Sequence, residues 1–417
     1  MAKIYIETYG CAVNQSDSEL MAGLLQDEGH KIIDNPKDSD VIIINTCTVK
    51  NSAESKLYRA LKKYEDRKII IAGCIPQAEK SLIDNELKDY SIIGIKQMIN
   101  APLAVEETIK GNRIVIIDRV DNKRLNLAKI RQNNTVEIIP INEGCVGSCN
   151  YCKTKHARGN VKSYLEKEII NQAKQAIEEG VKQIWLTSQD TGAYGLDTKT
   201  NIIELLKKII EIKGEFKVRL GMINPEHAKK YLKDLIPLLK NEKMFKFIHI
   251  PIQSGSNKVI KEMNRNYKQE DFQDIVKELR KKVKGIRIAT DIIIGYPTET
   301  DEDFEDTYNL IKELKIEVVN RSRYWKRPNT PAAKLKPINT KTVKNRSIRI
   351  KELFEVKSRE EKEKYVGKNL EVLTEDKRKG QISARTNNYI LTILENEELG
   401  VFKKVKIKKA DKWNLFT

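Results

Sequence analysis

Three hydrophobic patterns succeed one another along the chain. From Lys3 to about Ala104, short β-branched runs alternate with amphipathic segments, the mark of an α/β domain with an open parallel sheet. Lys3-Ile4-Tyr5-Ile6-Glu7, Val41-Ile42-Ile43-Ile44-Asn45 and Lys68-Ile69-Ile70-Ile71-Ala72-Gly73 predict strands. Ser16-Asp17-Ser18-Glu19 reads as a capping box opening a helix through Leu20, Leu24 and Leu25, closed by Gly29. Asn51-Ser52-Ala53-Glu54 reads as the cap of a second helix carrying Leu57, Ala60, Leu61 and Tyr64.

Residues 111–132 are charged and irregular and read as a linker. The next segment contains six strand candidates separated by helical stretches: Val136 to Ile141, Gln183 to Thr187, Phe216 to Gly221, Phe247 to Ile252, Ile286 to Ile294 and Val318 to Tyr324. Six βα units predict a partial (βα)6 TIM-type barrel, whose chemistry belongs at the carboxyl ends of its strands. Residues 341–364 read as a charged helical connector. After Gly367, short alternating strands with turn signals predict a small antiparallel β-barrel. The expected domains are therefore 1–110, 133–340 and 365–417.

Charge adds a partner class. Lys and Arg number 77 against 59 Asp and Glu, a formal net charge of +18. Such an excess suits a polyanion, although a solvated lysine-rich face gives the same count. No run of 18 apolar residues is present, and the first residues lack the apolar core of a signal peptide, so a cytoplasmic protein without a membrane span is expected. In that setting six cysteines are expected as metal ligands rather than disulfides.

Cys145, Cys149 and Cys152 fall in the spacing C-x3-C-x2-C, which lets one tight loop aim three sulfurs at one point. Three thiolates leave one corner of a 4Fe-4S cluster without a protein ligand. With His156, the same stretch also fits a closed Cys3His zinc site. Cys11, Cys47 and Cys74 each follow a predicted strand of the first domain, so the sheet topology would gather them on one edge as a second three-thiolate site. Singly, each also reads as a small buried hydrophobe.

The C-x3-C-x2-C loop resembles the radical-SAM signature, with Tyr151 before the last cysteine, and implies S-adenosylmethionine (SAM) bound at the open iron. Strand ends then supply candidate SAM contacts. Gln189 or Asp190 would hold the methionine ammonium group, Arg219 its carboxylate, Gln253 and Ser254 the ribose, and Gly295 would allow close approach of adenine. Ordinary loop closure explains Gln and Ser there equally well, and His249 and Asp291 read as satisfied core residues. Arg321, Arg323, Lys326 and Arg327 surround Tyr324 and Trp325, a basic stretch interleaved with aromatics as in RNA-binding surfaces. Lys403, Lys404 and Lys406 make the tail a second candidate RNA footprint.

The whole layout resembles the methylthiotransferases. Cys149-Asn150-Tyr151-Cys152-Lys153-Thr154-Lys155-His156-Ala157-Arg158-Gly159-Asn160 and Ile184-Trp185-Leu186-Thr187-Ser188-Gln189-Asp190-Thr191-Gly192-Ala193-Tyr194-Gly195 are similar to the archaeal and eukaryotic tRNA N6-threonylcarbamoyladenosine methylthiotransferases, and the tail resembles their TRAM module. Asn329 stands where that family usually has glycine, a position asparagine tolerates. The resemblance implies replacement of the C2 hydrogen of adenosine 37, in the anticodon loop, by a methylthio group. It also implies two 4Fe-4S clusters, SAM as radical source and methyl donor, an electron donor and a sulfur source. The same chemistry on isopentenyl-adenosine in tRNA or on a ribosomal-protein aspartate is the nearer alternative, and a zinc-containing RNA-binding protein the farther one.

Overall fold

The computed structural model describes residues 1–48, 52–120, 122–378 and 380–417. In the first domain β1 (Lys3–Thr8), β2 (Lys31–Ile32), β3 (Val41–Thr46), β4 (Lys68–Gly73), β5 (Ser91–Gly94) and β6 (Val115–Ile116) form one parallel sheet in the order β2-β1-β3-β4-β5-β6. Continuous β-branched runs make this possible, because both sheet faces are covered by α1 (Ala12–Asp27), α2 (Ser52–Lys63), α3 (Cys74–Ala78), α4 (Lys80–Asp84) and α5 (Ala101–Lys110). The Asn51 cap lies outside the described residues.

Two sequence expectations change here. The first helix begins at Ala12, four residues before the supposed capping box, and Ser16 to Glu19 are buried inside it. Polar residues survive there because the neighbouring domain and linker satisfy them: Ser16 Oγ donates to the Ile138 carbonyl, and Glu19 pairs with Lys129 at 3.1 Å. The linker is also less irregular than its composition suggests. Val115–Ile116 extends the sheet, and Lys129 and Arg131 pair with the buried Glu137 at 2.7 and 2.5 Å.

The middle domain contains six parallel strands in chain order, β7 (Val136–Pro140), β10 (Gln183–Thr187), β11 (Lys217–Leu220), β12 (Phe247–His249), β13 (Arg287–Ile294) and β14 (Val318–Arg323). The β7–β11 and β12–β14 halves meet through the parallel Val218–Met244 bridge. A short antiparallel pair, β8 (Asn142–Glu143) with β9 (Lys162–Ser163), brackets the cysteine loop. Outside lie α6 (Thr154–Arg158), α7 (Glu166–Glu178), α8 (Ile202–Glu211), α9 (Pro225–Lys240), α10 (Asn257–Glu262), α11 (Gln269–Lys282) and α12 (Asp301–Leu314). Ile184, Leu186, Val218, Leu220, Ile248 and Ile288 belong to the large outer core, whereas alternate positions such as Trp185, Arg219 and Phe247 gather in a separate cluster.

The connector is one helix, α13 (Thr340–Glu363), leading to the C-terminal module. Its strands β15 (Asn369–Arg378), β16 (Gln381–Thr386), β17 (Leu391–Glu395), β18 (Phe402–Lys406), β19 (Lys409–Ala410) and β20 (Leu415–Phe416) are ordered β18-β15-β16-β17-β20-β19. All pairs are antiparallel except β17 with β20, which departs from the purely antiparallel expectation. Tyr389 turns with φ +66° and inserts among Trp185, Phe245 and Phe247 of the barrel.

Candidate functional site

Cys11, Cys47 and Cys74 follow β1, β3 and β4, which are neighbours in the sheet, so the parallel topology brings three distant positions to one edge. Cys11 donates to Asn14 Oδ1 at 3.3 Å, while Asn14 Nδ2 ties to Asn45 Oδ1 and the Thr46 carbonyl. These bonds give Asn14, Asn45 and Thr46 a definite role in shaping the loops. Burial pushes the Cys74 thiol up to about 11, opposed by Arg158 and reinforced by the charges of Cys47 and Cys11. The same three sulfurs thus act on one another.

Cys145, Cys149 and Cys152 lie beyond β7, at the carboxyl ends of the barrel strands. Gly144 has φ +79°, and a Cβ there would overlap the Asn160 carbonyl, so only glycine lets the loop enter at this point. The Gly147 N–H donates to Cys145 Sγ at 3.3 Å, and Arg265 Nη1 donates to Cys149 Sγ at 2.9 Å. Cys152 Sγ lies 3.1 Å from Thr154 Oγ1. Burial pushes Cys145 up to about 12, with Asp190 and the other two thiols adding in the same direction.

The donor sets bear on the group each triad could hold. Sulfurs around one tetrahedral zinc, at Zn–S of about 2.3 Å, lie about 3.8 Å apart. Among the described residues, three such ligand atoms within 4.8 Å of one another occur only at Asp190, Glu226 and His227. Neither thiol triad is that tight, and His156 is exposed rather than turned in as a fourth ligand. Two triads of free thiols fit the thiolate ligation of iron–sulfur cores. Asp190 is itself committed: Gly192 N and Asn224 N donate to Oδ1, while Asn224 Nδ2 and His227 Nδ1 lie 2.6 and 2.8 Å from Oδ2.

The candidate SAM contacts divide on the same grounds. Tyr151 packs edge to face against Tyr296 beside the cysteine loop. Gln189 Oε1 accepts from Gly144 N at 2.9 Å and so holds the loop entrance. Gln253 is buried at φ +70° just beyond β12, bridged to Ile292 of β13. Ser254 lies 3.3 Å from Thr307 Oγ1 and accepts from Ser256 N, closing a loop. At Gly295, φ is +77° and a Cβ would strike Val343 of α13, so helix packing requires the glycine. Arg219 is placed differently from expectation. Its guanidinium lies 5.0 Å from the Trp185 ring and 5.3 Å from Tyr389, in the layer sealed by the C-terminal module.

Several partners had no signal in the sequence. Arg265 is one, joining Cys149 to Asn224 and thence to Asp190. His249 Nε2 and Asn320 Nδ2 both lie 2.9 Å from Asp291 Oδ1, a polar cluster across three adjacent strands. Their alternation marks the facing, but pairing across strands is invisible in one dimension. Arg321 and Arg323 are exposed, with Arg321 reaching Ser347 of α13. Trp325 is 51% exposed, and it lines a cleft of about 350 Å³ with Lys326 and Pro328. The following loop is tied to the cysteine loop, since Ala332 N donates to the Asn150 carbonyl. On β18, Lys403 pairs with Glu397, and Lys404 and Lys406 are exposed.

A barrel with three free thiols at its strand ends defines the radical-SAM class, and the comparisons agree: residues 139–311 match the Radical SAM superfamily, 3–94 the Uncharacterized protein family UPF0004, and 363–416 the TRAM domain. A Pyrococcus abyssi protein described as a probable threonylcarbamoyladenosine tRNA methylthiotransferase is 41% identical over 98% of this chain and 97% of its own length. The human threonylcarbamoyladenosine tRNA methylthiotransferase is 45% identical over 84% of this chain and 62% of its own. The chain belongs to the threonylcarbamoyladenosine tRNA methylthiotransferase family. Two solved structures share the fold at low identity. The radical SAM methyltransferase TsrM from Kitasatospora setae has TM-score 0.58 and 13% identity, covering 80% of this chain and 77% of TsrM. The cobalamin-dependent radical enzyme OxsB has TM-score 0.52 and 11% identity, covering 84% of this chain and 56% of OxsB.

Proposed function

We propose that this protein replaces the C2 hydrogen of N6-threonylcarbamoyladenosine 37 in tRNA with a methylthio group. The observation that carries the reading is the pair of three-thiol sites, one at the sheet edge and one at the barrel strand ends, in a chain aligned along nearly its whole length with this family. Cys145, Cys149 and Cys152 would hold one 4Fe-4S cluster, and Cys11, Cys47 and Cys74 a second. When bound, these groups supply the electron that cleaves SAM and an open iron for the sulfur to be transferred.

The protein's part is placement. Arg265 and Gly147 donate to the barrel thiols, and Gln189 fixes the loop entrance. Tyr151 and Gln253 remain the candidate contacts to SAM, whereas Asp190 and Ser254 act through the loops they hold. The C2–H bond is neither acidic nor activated, so the site has no use for a general base there. The target base leaves the loop stack to reach the strand ends, which costs less than opening a paired base. Arg321, Arg323, Arg327 and Trp325 adjoin that mouth, and Lys403, Lys404 and Lys406 offer phosphate contacts on the C-terminal module. No helix of the described residues is long and apolar enough to cross a membrane. An electron donor and a sulfur source complete the reaction.

Nucleoside analysis of tRNA from a deletion strain tests the assignment. Loss of the methylthiolated nucleoside, with its threonylcarbamoyl precursor accumulating, is expected; an unchanged profile rejects it.

A further inference from the structure

A four-membered buried charge cluster lies between the two thiol triads. Arg158 Nη1 donates to Glu143 Oε1 at 2.9 Å, and Nη2 donates to Asp17 Oδ2 at 3.0 Å. Arg124 closes the ring, with Nη1 3.3 Å from Glu143 and Nη2 paired with Asp17. All four side chains are at most 8% exposed. Each comes from a segment that carries a thiol or joins the domains. Asp17 is on α1, which starts after Cys11; Glu143 precedes Cys145 by two residues; Arg158 ends α6 after Cys152; Arg124 is in the linker.

Arg158 also adjoins the N-terminal thiol site. Its neighbour on α6, Ala157, packs in the same buried core as Cys74, so this arm of the barrel's cysteine loop reaches that site, and the Arg158 charge opposes the rise of the Cys74 thiol. Two cations and two anions balance the ring, and a guanidinium in its fixed fork engages Glu143 and Asp17 together. A lysine would keep the charge and lose the fork. Hydrogen bonds to cluster sulfurs and nearby charge are among the levers that set iron–sulfur potentials, and ligand-orienting partners fix the ligands themselves.

We propose that Arg158 is a positioning residue shared by the two thiol sites, fixing the Cys145 loop against the N-terminal site and raising the reduction potential of a cluster held by Cys11, Cys47 and Cys74. The direction follows from charge: reduction adds an electron, and a buried cation beside the site stabilises the more negative state. This inference rests on the two-cluster reading above, and the experiment separates the two.

The full chain carrying Cys145→Ala, Cys149→Ala and Cys152→Ala is reconstituted anaerobically with iron and sulfide, so that only the N-terminal site can load. Iron content then tests the two-cluster reading: a chain without a cluster overturns it before Arg158 is addressed. With the cluster present, its midpoint is measured by EPR-monitored reductive titration in the same background with Arg158→Met, Arg158→Lys and Arg131→Met. Arg131 is also in an ion pair with a buried carboxylate, and its partners are Glu137 and the exposed Glu179 rather than residues of a thiol site. The expected order is a midpoint most negative for Arg158→Met, intermediate for Arg158→Lys and unshifted for Arg131→Met. Equal midpoints for Arg158→Met and its parent, or an equal shift from Arg131→Met, overturn the proposal. If Arg158→Met fails to retain iron, Arg158→Lys decides: a negative shift absent from Arg131→Met supports it, and no shift overturns it.

Discussion

Gln183, the first residue of barrel strand β10, donates to Glu375 of the C-terminal module at 3.0 Å. Lys217, which opens β11, donates to Asn387 of the same module at 3.1 Å. The module therefore grips the amino-terminal ends of strands whose carboxyl ends face the cysteines. In the proposed reading, basic residues on β18 contact tRNA phosphates rather than act on the base. Changing Lys403, Lys404 and Lys406 to Glu is expected to weaken tRNA binding and flatten its log–log salt dependence by about one for each phosphate that is no longer neutralised. Filter binding across salt checks the slope, and SAM cleavage without tRNA should be unchanged.

Tyr389 anchors that docking through Phe245 at 4.9 Å and Phe247 at 5.0 Å. Tyr389→Ala removes the ring from a buried aromatic cluster and is expected to cost about 3–5 kcal/mol. Limited proteolysis should then release the C-terminal module early, with iron content per chain unchanged.

Trp325 offers a base-sized aromatic face in a basic segment beside the cysteine loop. Stacking of one base is worth about 1–3 kcal/mol. Trp325→Ala is expected to raise the Kd for substrate tRNA by roughly 5- to 150-fold, and Trp325→Phe should recover most of it.

Arg265 joins Cys149 to Asn224. Its replacement by Met leaves six cysteines intact but removes a charged donor from one ligand. Outer partners of this type typically contribute about 10- to 100-fold in affinity or activity. SAM cleavage by reduced protein is expected to fall within that range, with iron content measured alongside it.

Lys362 is fully buried, donating to Ser358 Oγ at 2.5 Å and the Lys412 carbonyl at 3.2 Å. Burial, aided by Arg287 and opposed by Glu361 and Asp411, lowers its pKa to about 8. The unfolded chain, titrating near 10.5, binds more protons between those values, so stability from this group rises with pH across that window. Below pH 8 the folded state bears the whole cost of the buried charge. Lys362→Met is expected to flatten the rise, shifting the parent-minus-variant difference by about 3 kcal/mol between pH 8 and 10.5. Denaturant unfolding of the two apoproteins over that range measures it.

The strands and the cysteines were legible because each is a local signal: β-branched runs, a three-cysteine loop, and thiols just past predicted strands. What remained hidden depends on contacts across domains. Ser16 to Glu19 resemble a helix cap only until Ser16 meets Ile138 and Asp17 meets Arg158. Arg219, on a strand that invites a SAM carboxylate, is claimed by Trp185 and by Tyr389, 170 positions later. Arg265 lies 116 positions from the cysteine it touches, a pairing that no periodicity reveals.

The central claim is that this chain methylthiolates threonylcarbamoyladenosine. The direct measurement is mass analysis of nucleosides after the anaerobically reconstituted full chain, SAM, a sulfur source and a reductant act on three tRNAs: one with threonylcarbamoyladenosine, one with isopentenyl-adenosine and one with unmodified adenosine at position 37. A methylthio group in place of hydrogen on the threonylcarbamoyl nucleoside alone is the predicted result. Modification of either other tRNA in preference to it, or of none while SAM is cleaved, would contradict the account.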